Sequence, residues 1–128
     1  MDPRENLLDH FENPRHKGRL DHPTHEHELR NPICGDQVHI ALTVDSTNAI
    51  SSIAFDGKGC VVSQAAASML CEAVAWRDAD ELCALPGTFV LEMIGVPLSV
   101  ARVKCALLCL ETLKRALSCA QPTLVINL

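Results

Sequence analysis

The stretch NPICGDQV, residues 31–38, sets Cys34 and Asp36 on either side of Gly35. A hydrophobic core does not favour an aspartate there, and a disulfide does not need one. Gly35 permits a turn, so the thiol and the carboxylate can point at one centre. Two more cysteines occupy comparable boundary positions. Cys60, in DGKGCVVSQ, follows Gly57 and Gly59 and precedes a helical pattern. A helix N-terminus favours negative charge, which stabilises a thiolate. Cys105, in ARVKCALLC, is flanked by Arg102 and Lys104, which act in the same direction. Three thiolates and one carboxylate complete a four-coordinate site for zinc or for an iron–sulfur cluster. A carboxylate is a hard oxygen ligand and binds a soft-ligand centre more weakly than a fourth thiolate. That suits a site that must give up its cargo. Taken singly, each cysteine also reads as a small buried apolar residue, and Asp36 as a solvated turn residue.

The other cysteines carry less chemistry. Cys71 lies inside a helical pattern, and Cys109 shares a helix face with Cys105; both read as core. Cys83 and Cys119 have no motif around them. The total of seven is odd, and MDPRENLLDHF has no apolar leader, so a reducing, cytoplasmic setting without a disulfide framework is expected. No Cys-x-x-Cys pair occurs, which disfavours a dithiol oxidoreductase. His22, His25 and His27, in DHPTHEHE, form a rival cluster for zinc or nickel. Their spacing matches no well-attested ligand pattern, so a solvated polar stretch is the preferred reading.

These positions need elements to hold them. Residues 3–13 read as a short helix with Leu7, Leu8 and Phe11 on one face, stopped by Asn13-Pro14. An irregular basic connector spans 14–23, and 25–30 can pair as an edge strand. Val38, Ile40, Leu42 and Val44 alternate with Gln37, His39, Ala41 and Thr43, which predicts a half-buried strand. Ile53 and Phe55 mark a second strand after the turn at 45–48. The period then lengthens: Val62, Ala65, Ala66, Met69, Leu70 and Ala73 predict a helix over 61–76. Short helices are expected near 78–85 and 88–95. Ser99 caps a last helix to about 118, with Val103, Leu107, Leu110 and Leu117 on its inner face. Strands before helices predict an α+β fold, a small three-stranded antiparallel sheet with helices packed on one face.

At 128 residues, a single domain over 1–128 is expected. Hydrophobic residues make up 48% and charged residues 21%, a globular rather than disordered balance. The net charge of −5 comes without a basic run, which argues against nucleic-acid binding. No apolar stretch approaches a membrane span.

The segments DHFENPRHKGRL (9–20), NPICGD (31–36), DGKGCVVSQAAAS (56–68) and ARVKCALLCLETL (101–113) resemble the iron–sulfur cluster scaffold family of IscU, SufU and the NifU N-terminal domain. They occur in the family's order and span nearly the whole chain. The resemblance implies the scaffold fold and a site of Cys34, Asp36, Cys60 and Cys105. It also implies a pyridoxal-phosphate cysteine desulfurase as partner; the N-terminal helix helps dock it on this reading, and packs ordinarily against the sheet on the other. Two departures stand out. IscU-type members carry a histidine before the third cysteine within an LPPVK-containing stretch, whereas this chain has Lys104 within SVARVKC. Chaperone or frataxin-like partners are therefore only a secondary expectation. SufU-type members carry an extra segment between the second and third cysteines, and Cys60 to Cys105 leaves no room for one.

Two functions follow from the resemblance. As a scaffold, the protein receives desulfurase sulfur and iron, builds a [2Fe–2S] cluster on the four residues and passes it to apo acceptor proteins. As a SufU-like sulfurtransferase, it holds Zn²⁺ on the same residues and accepts persulfide sulfur. Cys34 and Cys105 are the candidate persulfide acceptors, with Lys104 a possible assistant to the thiolate. A purely structural zinc module is the weaker third reading, because such a site has no use for a labile carboxylate.

Overall fold

The computed structural model describes residues 1–119. Eight elements follow in order: α1 (Pro3–Glu12), β1 (His25–Arg30), β2 (Gln37–Val44), β3 (Ile50–Lys58), α2 (Val61–Val74), α3 (Ala79–Cys83), α4 (Gly87–Ile94) and α5 (Val100–Ala116). The strands form one antiparallel sheet in the order β1-β2-β3. Val38, Ile40 and Leu42 of β2 are fully buried, as are Ile50 and Phe55 of β3. Helices α2 and α5 pack on the sheet and on each other, and α4 packs against both. This is the α+β arrangement expected, with the edge strand at 25–30 in place.

Local chemistry sets the helix ends. The Asp2 carboxylate accepts the Glu5 N–H at 2.9 Å, and Pro3 opens the first turn of α1. Ser99 caps α5 by accepting the Arg102 N–H at 3.3 Å. Gly95, with φ +69, ends α4 in the left-handed region that glycine tolerates.

Four expectations are corrected. β2 is buried on both faces through its centre: His39 and Ala41, which alternate with the core residues, are covered as well, and Glu26 of β1 reaches across to His39 Nε2 at 3.0 Å. The connector is not wholly irregular. Phe55 N–H donates to His16 O and Gly18 N–H to Phe55 O, so residues 16–18 extend the sheet beyond β3. In α1, Leu7 is buried but Leu8 and Phe11 are 46% and 40% exposed; the second inward residue is His10. In α5, only Leu110 of the four expected residues is buried. The inner face is instead Cys105, Ala106, Cys109, Leu110, Thr112, Leu113 and Ala116. α2 brings Ala66, Ala67 and Cys71 to its own buried side, so small side chains on both helices suit a close approach.

The disulfide expectation is also overturned, since Cys83 and Cys119 are bonded across 36 residues. The end of α3 and the end of α5 meet in space, a juxtaposition that no local pattern announces. Cys71 and Cys109 are buried as expected.

His10 anchors α1 through a buried polar cluster. Its Nδ1 lies 2.7 Å from Ser68 Oγ, which also accepts the Arg15 N–H at 2.8 Å. Burial holds the His10 ring below its ordinary pKa, with Arg15 adding to the shift and Glu72 and Asp9 opposing it. Ser68→Ala leaves both groups without this partner. The expected cost is about 1–3 kcal/mol, read as a lower urea midpoint with an unchanged slope. A midpoint equal to wild type would show that α1 is held by Leu7 alone.

Candidate metal centre

Asn31 shapes the loop that presents Cys34. Its N–H donates to Asp36 O at 2.8 Å, its carbonyl accepts the Gly35 N–H at 2.8 Å, and its Oδ1 accepts the Ile33 N–H at 3.0 Å. Gly35 turns the chain at φ +78, which returns Asp36 toward the protein while Cys34 stays at the surface. Asn31 is not among the residues that spacing and chemistry single out; the Asn-Pro turn signal is its only trace in the sequence.

Asp36 is the hub. It is 1% exposed, and its Oδ1 accepts the Cys60 N–H at 2.9 Å. Its Oδ2 accepts the Cys34 thiol at 3.1 Å and lies 3.6 Å from Cys60 Sγ. The two sulfurs of Cys34 and Cys105 are 3.7 Å apart. The donor atoms of Cys34, Asp36 and Cys105 all lie within 4.8 Å of one another, a group in which Cys60 is not included. Cys60 stands beside the carboxylate as the cap of α2, where its sulfur accepts the Ser63 N–H at 3.5 Å. Gly59 makes the approach possible: a Cβ there would sit 2.2 Å from Asp36 Oδ1.

Charge in the site follows from these contacts. Burial by itself would raise the Asp36 pKa. Hydrogen bonds from Cys105, the Cys60 backbone, Cys34 and Cys60 outweigh it and hold the carboxyl below its ordinary value. The Cys105 thiol is shifted far upward, first by burial and then by its hydrogen bonds to Asp36 and Cys34. That corrects the expectation of a thiolate favoured by basic neighbours. Arg102 and Lys104 are both exposed, so neither shares the buried setting of the sulfur. Lys104 lines a neighbouring groove. Among the described residues, the close donor group does not include His22, His25 or His27, and His25 and His27 lie half-buried in β1.

The donor set is two thiols and a carboxylate in mutual contact, with a third thiol beside the carboxylate. Thiolates with one oxygen suit zinc or an iron–sulfur centre and fit calcium or magnesium poorly. Together with the fold, this defines an α+β domain with a cysteine–aspartate donor group that could hold a metal ion. The chain belongs to the NifU-like N terminal domain family, whose profile matches residues 3–121. It is 27% identical to the zinc-dependent sulfurtransferase SufU of Bacillus subtilis, over 90% of this chain and 88% of that one. It is 33% identical to the iron–sulfur cluster assembly scaffold protein IscU of Streptococcus pyogenes serotype M1, covering 87% of this chain and 79% of the relative. The N-terminal part of a NifU-like protein from Brucella abortus superposes with a TM-score of 0.71 at 19% identity, over 89% and 90% of the two chains, which speaks for the fold. The family is that of iron–sulfur cluster assembly scaffolds, with IscU-named and SufU-named members. Among the described residues, no helix is long and apolar enough to cross a membrane.

Proposed function

We propose that the protein is an assembly scaffold on which a [2Fe–2S] cluster is built as cargo and then handed to apo acceptor proteins. The observation that carries this reading is the buried Asp36 carboxylate, touching thiols that arrive from the β1–β2 loop and the start of α2. Cys105 of α5 closes the group, 3.7 Å from the Cys34 sulfur. An oxygen donor amid thiols supports release rather than permanent retention.

Sulfur arrives from a pyridoxal-phosphate cysteine desulfurase. Cys34, the exposed thiol of the set, is the acceptor best placed to meet it. Its thiolate attacks the outer sulfur of the enzyme's persulfide. A new S–S bond forms on Cys34, the old one breaks, and the enzyme cysteine leaves as thiolate. Two electrons from an external reductant then convert the transferred sulfur to sulfide. Cys105 is the nearest thiol to Cys34 and the second candidate acceptor. Lys104, beside it in sequence, is the candidate assistant.

The zinc-dependent sulfurtransferase reading is favoured by one observation. Cys34 alone is exposed while Asp36 and Cys105 are buried, so one donor can leave as the others stay. Zinc held there would keep the attacking thiol deprotonated.

Anaerobic purification and reconstitution with iron and sulfide separates the two. A red-brown chromophore that moves to apo-ferredoxin is expected, and Cys34→Ser, Cys60→Ser and Cys105→Ser should each lower its yield at least fivefold. Stoichiometric zinc that resists exchange, no chromophore, and desulfurase turnover raised by the protein would replace the scaffold with the sulfurtransferase.

A further inference from the structure

Helix α5 carries a second stripe beside its fully buried one, in which Leu107 and Leu108 touch the core with only part of their surface. Lys104, Leu107, Leu108, Glu111 and Arg115 recur at helical spacing and line a groove. The opposite wall is Leu29 of β1 with Pro32 and Ile33 of the following loop. The cavity has a volume of about 490 Å³. Leu107 is one of the residues that periodicity assigns to the core, and in the structure it is only half-buried beside this groove. Ile33 is 87% exposed and precedes Cys34, so the groove ends at the sulfur site.

Its charge is opposite to that of the chain. Four cations line it (Arg30, Lys104, Lys114 and Arg115) against the single acid Glu111, a local balance of 4 − 1 = +3 in a protein of net −5. Glu111 is neutralised by Arg115 at 3.1 Å, and Lys114 Nζ donates to Leu85 O at 2.5 Å. The exposed Lys104 is left near the Cys34 end. β1 is also an edge strand, so its outer side offers backbone groups to an extended chain.

We infer that this groove docks an acidic, leucine-rich peptide segment of a partner protein, laid along α5 with its carboxylates toward Lys104 and its end beside Cys34. Apolar side chains of the segment fill the space between Leu107 or Leu108 and Leu29. From Lys104 to Arg115 the helix rises about 16 Å, which roughly five extended residues span. The chain's own residues 120–128, AQPTLVINL, contain no acidic side chain and would leave the cations unanswered. The inference stands whether the site carries a cluster or zinc, because it involves none of the four donors.

The test is fluorescence anisotropy on the full chain without added metal. The probe is a fluorescein-labelled decapeptide alternating leucine and glutamate, set against its leucine–lysine counterpart. The acidic peptide should bind at least tenfold more tightly, and weaken severalfold between 50 and 500 mM salt. Lys104→Glu and Ile33→Ser, both at exposed positions, should each weaken it at least fivefold. Equal binding of the two peptides, or binding indifferent to both variants, overturns the inference. So does a tenfold gain on Ile126→Asp, which would make residues 120–128 the occupant. A dimer in sedimentation that Ile33→Ser dissociates overturns it as well, because a second copy would then be the occupant.

Discussion

Asp36→Ala is expected to hold an assembled cluster longer than wild type, slowing transfer to apo-ferredoxin about tenfold, which is about 1.4 kcal/mol on the barrier. The argument has two parts with opposite signs. As the proposed ligand, the carboxylate would be the weak member of a thiol-rich set, so its loss would remove the position at which an incoming acceptor thiol displaces it. As a structural group, it accepts the Cys60 N–H at 2.9 Å, and alanine leaves that donor bare at the start of α2. The variant should therefore melt a few degrees lower while releasing cargo more slowly. Circular dichroism of the transferred cluster, followed beside a thermal melt, reads both. Transfer that is faster or unchanged would mean that Asp36 supports the loop and has no part in release.

Gly59→Ala should remove the site almost entirely. The residue sits at φ +141, a conformation that L side chains rarely adopt, and its Cβ would fall 2.2 Å from Asp36 Oδ1 and 2.9 Å from Asp36 Cα. The carboxylate and its backbone must both shift, breaking the contact with Cys60. A loss of about 2–4 kcal/mol in urea unfolding is expected, with zinc or iron stoichiometry falling below half. Gly35→Ala is the matching control. Its φ is +78, yet nothing lies within 4 Å of the added methyl, so only backbone strain of about 1–2 kcal/mol applies and metal binding should survive. A Gly59→Ala protein that binds metal like wild type would show that the aspartate tolerates displacement.

The site was legible in the sequence wherever backbone chemistry dictates side-chain direction. Gly35 between a thiol and a carboxylate, and Gly57 and Gly59 ahead of a helix start, are requirements of a turn and of a close approach. The strand at β2 was equally plain, although its second face proved buried as well. What escaped was set by tertiary contact. Hydrophobicity places leucine inside, but α5 turns the small Ala106 and Cys109 fully inward and leaves Leu107 half-buried at the edge of the core. In α1, a histidine with a serine partner replaced the expected second apolar contact. The Cys105 thiol was misjudged because charges adjacent in sequence need not be adjacent in space on a helix. Burial and the other donors decide its state.

The bond between Cys83 and Cys119 closes a covalent ring that contains Cys105, while Cys34 and Cys60 belong to the open remainder of the chain. In the chain-entropy view, a loop of 36 residues is worth about 4 kcal/mol against unfolding. That contribution comes from restricting the unfolded chain, so it supports the whole fold, including every segment that supplies a donor. Thiol reductants used to protect the candidate site would thus lower the stability of the fold that holds it, so oxygen-free handling and chemical reduction are not equivalent treatments of this protein.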